Sequence, residues 1–266
     1  MVKREVIELL NVKKERFFDE YCNVDFSKYE IYVEFCHNEQ IQDRIKEISQ
    51  VKGEDKLSLE ELNERTTFLR SVSLVYEDCA YVLVTNRPYS TEKYFTFALY
   101  SELAKVYAIH KGEYDRNRIG EDEFEIDSMM GYAFWNAFAS RMIAYELMSK
   151  EYPEVKKICQ RKTLISENIQ FIDVDIRKRH LGCVLLADLY AICVVQSRLR
   201  ARNIDADKYS FPVDKRWYVG KKLHKELAVL LKLIVNQLNK DEPYSIDLAA
   251  LEKIGSSVYD IFWKLK

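Results

Sequence analysis

Ala98-Leu99-Tyr100-Ser101-Glu102-Leu103-Ala104-Lys105-Val106-Tyr107 is the stretch on which the reading of this chain turns. It is rich in helix formers and free of Gly and Pro, and the apolar pattern extends it into a long helix from Thr91 to about His110. Four residues advance a helix by about 400°, so Ser101 and Lys105 share one face, a turn apart, with Glu102 beside them. A second long helix is expected from Ser128 to Lys150, carrying Gly131-Tyr132-Ala133-Phe134-Trp135-Asn136-Ala137-Phe138-Ala139-Ser140-Arg141-Met142-Ile143-Ala144. On it Met130, Ala133, Phe134, Ala137 and Phe138 fall on one face, so Ala137 is expected to point inward.

Outward from these helices, the remaining chain reads as mainly α with a small β element. Residues 3–22 repeat apolar residues at helical spacing, and Tyr29 to Phe35 alternates as a strand does. Glu39 to Gln50 is a short amphipathic helix on Ile41, Ile45 and Ile48. Ser58-Leu59-Glu60-Glu61 has the form of a capping box opening a helix to about Arg70. Val72 to Tyr76 and Ala80 to Val84 are β-rich, either a hairpin or two sequential strands. Lys111 to Asp127 is polar, with Gly112 and Gly120, and reads as a loop. Pro153 marks the end of the second long helix or a kink beyond it, and further helices are expected at about 154–160, 181–202, 215–239 and 254–264. One domain over residues 1–266 is expected, with a candidate boundary near 51–57 between an N-terminal α/β part and a helical part.

Composition narrows the function classes. With 48% hydrophobic and 32% charged residues of both signs, the chain can bury a sizeable core. Only 7 Gly and 4 Pro fit a helix-rich fold. A net charge of −2 provides no global field for nucleic acid or an anionic membrane, so neither partner is expected. The longest apolar run, Cys183 to Val195, is too short to span a bilayer and is interrupted by Asp188. Met1-Val2-Lys3-Arg4-Glu5 leads into no apolar signal segment. The 6 cysteines show no Cys-x-x-Cys pair, which fits reduced thiols in a cytoplasmic protein.

The two long helices together resemble those of gluzincin-type zinc metallopeptidases of bacteria and their mobile elements. That resemblance covers roughly residues 80–150. It implies a first helix reading His-Glu-x-x-His, with imidazoles at positions 101 and 105, and a second helix with a Trp-x-Glu-Phe-type motif bringing a third ligand at position 137. Two imidazoles a turn apart can grip one Zn²⁺, and the intervening Glu can act as base on metal-bound water. Here Glu102 remains, and Trp135, Phe138, Ile143 and Ala144 match the frame. The ligand positions hold Ser101, Lys105 and Ala137 instead. A protonated Lys has no lone pair and repels a cation. The expectation is therefore a zincin-like helix pair without metal or cofactor, Glu102 a vestigial base, and Trp135, Phe138 and Tyr107 candidate cleft residues. The Lys105 ammonium is expected to fill part of the vacated metal position, paired with Glu102 or with a carboxylate such as Glu146.

Other constellations carry less. Ser101 and Lys105 are close enough for a nucleophile–base pair, but Glu102 favours the charged lysine and no oxyanion hole is legible. His37, His110, His180 and His224 show no ligand spacing. The acidic run from Asp115 to Asp127 lacks the order of a Ca²⁺ loop. Arg177-Lys178-Arg179 and Arg198, Arg200 and Arg202 read as helix-end charges. The resulting expectation is a non-catalytic binding or regulatory protein with an unknown protein or peptide ligand. An active hydrolase using Ser101/Lys105 or other residues, and an assembly protein of a mobile element, are the alternatives.

Overall fold

The computed structural model describes residues 3–21, 26, 28–37, 39–53, 71–86, 90–111, 126–160, 176–199, 221–238 and 246–261. The fold is α+β, mainly α, with a small three-stranded sheet. It divides into two compact units, Met1–Lys111 and Gly112–Lys266. The expected boundary at 51–57 thus falls inside the first unit, and the two long helices of the expected pair fall in different units. The Ser58–Glu61 capping box, the acidic run up to Glu125, and Arg200 and Arg202 lie outside the described residues.

In the first unit, α1 (Lys3–Tyr21) leads to strand β1 (Glu30–His37), then α2 (Ile41–Lys52), β2 (Ser71–Val75), β3 (Cys79–Asn86) and α3 (Glu92–His110). β2 and β3 form an antiparallel hairpin, which settles the open choice between hairpin and sequential strands. β1 joins β3 in parallel with Ile31 beside Ala80 and Val33 beside Val82, giving the order β1-β3-β2. β3 is central, so both its faces must be apolar, and its residues are buried nearly throughout. Ile41, Ile45 and Ile48 of α2 pack with Cys36, Leu74, Tyr76, Cys79 and Leu83 in one core cluster. Helices α1 and α3 pack together and against the strands, and Phe35 meets Phe95 edge-on at 5.9 Å.

Gly53, inside the expected linker, has φ 68°, and its N–H reaches back to the Gln50 carbonyl. Only Gly takes this left-handed setting without a Cβ penalty, so it serves as the stop of α2. Thr91 starts α3 as its N-cap, accepting a hydrogen bond from the Tyr94 N–H. Tyr29 ties the strand entry to the hairpin, its hydroxyl lying 2.9 Å from the Tyr76 carbonyl and 2.8 Å from that of Cys79.

The second unit contains α4 (Ile126–Glu151), α5 (Pro153–Gln160), α6 (Ile176–Leu199), α7 (Lys221–Leu238) and α8 (Leu248–Tyr259). Pro153 stands at the first position of α5, where its missing N–H costs nothing. α4 packs on α6 and α8, and α8 on α7. The last helix begins at Leu248 rather than 254, because Asp247 caps it by accepting from the Ala250 N–H at 2.7 Å. No described helix is long and apolar enough to cross a membrane.

The main chain of α8 comes hard against α4 at Gly131. A Cβ there would lie 1.9 Å from the Leu251 carbonyl oxygen and 3.0 Å from the Gly255 nitrogen, both main-chain atoms that cannot swing aside. Gly131→Ala therefore has to push the two helices apart. A loss of about 1–3 kcal/mol is expected, in the range of core overpacking. All 3 tryptophans, Trp135, Trp217 and Trp263, belong to this unit, so the urea midpoint followed by tryptophan fluorescence reads the loss directly.

Candidate functional site

Glu102 is the one charged side chain buried to this degree among the described residues, at 4% exposure on α3. Its carboxylate is fully engaged. The Ser71 hydroxyl donates to Oε1 at 2.9 Å, and the Ser73 hydroxyl to Oε2 at 2.9 Å. The Lys105 ammonium donates to Oε1 at 2.8 Å. Ser71 and Ser73 are two apart on β2, so strand geometry sends both hydroxyls to the same face, toward α3. Lys105 comes from the same helix, three residues on, and its side chain retains 24% exposure.

Burial alone pushes the Glu102 acid upward, since it disfavours the ion. The nearby Lys105 charge and its hydrogen bond, with those of Ser73 and Ser71, outweigh burial and leave the carboxyl below its usual range. The group therefore stays ionised at neutral pH, with no oxygen lacking a protein donor. The expected pairing of Lys105 is realised with Glu102. Glu146, the other candidate, instead pairs with Arg198 across α4 and α6.

Ser101 is buried at 6% exposure, and its hydroxyl has no hydrogen-bond partner. The Ser101–Lys105 contact of a nucleophile–base pair is therefore not made, and the lysine is committed to Glu102. Tyr107 is buried in the first unit, its ring 5.3 Å from Tyr21 and 6.3 Å from Phe26.

Ala137 belongs to the second unit. Contrary to the inward placement expected from the helical wheel, it is half-buried, on a line with exposed Ala133 and half-buried Arg141. The buried faces of α4 carry Gly131, Phe134, Trp135, Phe138, Ala139 and Met142 instead. The Ala137 carbonyl accepts from the Arg141 guanidinium at 3.0 Å and from the Ser140 hydroxyl at 3.2 Å. Trp135 and Phe138 pack on each other at 5.1 Å in the core of this unit. Among the described residues, no three His, Cys, Asp or Glu side chains are grouped to hold a metal ion.

Cys36, Cys79 and Cys193 are buried free thiols, and burial pushes the first two upward, away from the reactive thiolate. Ser71 and Ser73, the partners of the buried carboxylate, were missed in the sequence. The available signal was Ser-x-Ser in a β-rich run, which alternation alone reads as a solvated face. No family model, curated protein or solved structure matches this chain.

The network predicts an asymmetry. Lys105→Met strands a buried anion, which costs several kcal/mol in general; with the lysine partly exposed, about 2–4 kcal/mol is expected. Glu102→Gln keeps an acceptor for the serines and leaves an ammonium that can turn to water, so it is expected to cost less. The double variant should recover part of the loss of Lys105→Met, read as the coupling term of a double-mutant cycle by urea denaturation followed by circular dichroism.

The pH dependence follows from the lowered acid. A depressed folded-state carboxyl contributes stability above the unfolded value of about 4.3, lost as pH falls through the folded value. The first unit is expected to hold its urea midpoint down to about pH 5 and to weaken below about pH 4. Glu102→Gln should flatten that fall.

Proposed function

We propose that this is a non-catalytic binding or regulatory protein, built on a zinc-peptidase-like scaffold whose ligand positions 101, 105 and 137 have lost their donors. The observation that carries this reading is the state of Glu102. A general base on a metal-bound water needs a free carboxylate edge within hydrogen-bond reach of that water. Here both oxygens are taken, by Ser71 and Lys105 on one and Ser73 on the other. An ammonium sits where a catalytic version would place its metal-binding imidazole. The side chain that once served as base is thereby converted into a structural anion.

The buried free thiols at Cys36, Cys79 and Cys193 support a reducing, cytoplasmic setting. The partner class that fits such a scaffold is a peptide or protein segment.

The test restores what was lost. Ser101→His and Lys105→His together supply two imidazoles a turn apart on α3, with Glu102 released from its ammonium and available again. Zinc titration of this folded double variant is expected to show binding, and that of the natural protein none. A double variant as inert to zinc as the natural chain would remove the scaffold reading.

A further inference from the structure

The second feature that asks for an explanation lies at the opposite side of the sheet from β2. β1 is an edge strand of eight residues, with β3 on one side and no described strand on the other. An edge strand offers unpaired N–H and C=O groups to any chain that can lie alongside it. β1 is well suited to that. Ile31, Val33 and Phe35 alternate on one face, and Tyr32, 41% exposed, stacks on Tyr81 from the other.

Lys14 of α1 bears on this edge. Its ammonium does not stay in water but donates to the main-chain carbonyl of Ile31 at 2.6 Å. It is half-buried there, and burial works against its charge while Glu15 and Glu30 favour it. A surface lysine that gives up hydration for a strand carbonyl occupies an acceptor that an incoming strand would need. Lysines at sheet edges recur as a device against such pairing.

We propose that Lys14 guards the edge of β1 against a second copy of this chain. The sequence of β1 makes a second copy the fitting occupant. Antiparallel pairing about a two-fold axis at Val33 sets Val33 against Val33, Ile31 against Phe35, Tyr32 against Glu34 and Glu30 against Cys36. No like charges stand opposite each other in this register, and three of its positions on one face are apolar. A net charge of −2 adds little repulsion between copies. With the ammonium removed, two three-stranded sheets can join into one of six strands.

Sedimentation velocity across a concentration series tests this on the full-length chain. Wild type is expected to remain monomeric where Lys14→Ala and Lys14→Met form dimers, with at least about tenfold tighter self-association. Amide exchange in β1 should slow on association. Tyr32→Glu added to Lys14→Ala puts carboxylates opposite Glu34 of the other copy at both ends of the pair, and should return the monomer. The proposal is overturned if both Lys14 variants stay monomeric, or if their association leaves β1 exchange unchanged or survives Tyr32→Glu. It is equally overturned if wild type already pairs through β1. Circular dichroism of each variant closes the remaining escape: if both Lys14 variants unfold, the residue sustains the fold of the unit rather than the edge, and the proposal falls.

Discussion

A carboxylate removed from water has to be answered by donors, and in this protein that requirement falls on Glu102. Its three donors come from two elements that are 29 and 31 residues away in sequence for the serines and one helical turn away for the lysine. An unmatched charge at this depth would cost more than most small domains have in reserve. The position of α3 over β2 is thus constrained by polar geometry as well as by apolar packing. Apolar contacts tolerate sliding; two hydroxyls aimed at two oxygens do not. The hairpin, pinned at one end by these serines and at its turn by the Tyr29 hydroxyl, has little freedom relative to the helix above it.

Much of the first unit was legible. Isoleucines at 41, 45 and 48 recur at helical spacing and do form the buried stripe of α2. The alternation through Tyr32 and Val33 is the strand β1, and the apolar run from Ala80 to Val84 is the central strand, buried on both faces. What misled was chemistry with two meanings. Gly53 among charged residues looks like a linker, yet its left-handed backbone is the terminus of a helix that belongs to the same core as β2 and β3. Ser71 and Ser73 look solvated because a small polar residue carries no mark of the buried charge it serves.

The second unit was less legible, for one physical reason. When a helix is buried around most of its circumference, apolar residues occupy every face, and periodicity no longer tells inside from outside. α4 is such a helix. Its sequence placed Ala133 and Ala137 on a buried line, whereas the structure puts that line at its most open side. Alanine fits either environment, so it cannot correct the error. A helix limit shifted as well: Asp247 is the N-cap of α8, and the helix it opens takes in Leu248-Ala249-Ala250-Leu251, ahead of the start expected at 254.

The same loss of direction in α6 gives Asp188 a consequence of its own. Residues 190–195 of α6 are buried without interruption. A smooth greasy cylinder can spin or slip by a turn within its socket at little cost. Asp188 removes that freedom: the Tyr145 hydroxyl donates to it at 3.1 Å, and the Arg141 guanidinium lies 3.5 Å away. The carboxylate works as a key in a keyway, fixing both the rotation and the height of the helix against α4. The apolar neighbours can then drift among Leu, Ile and Val without losing the setting, because the setting is not theirs to keep.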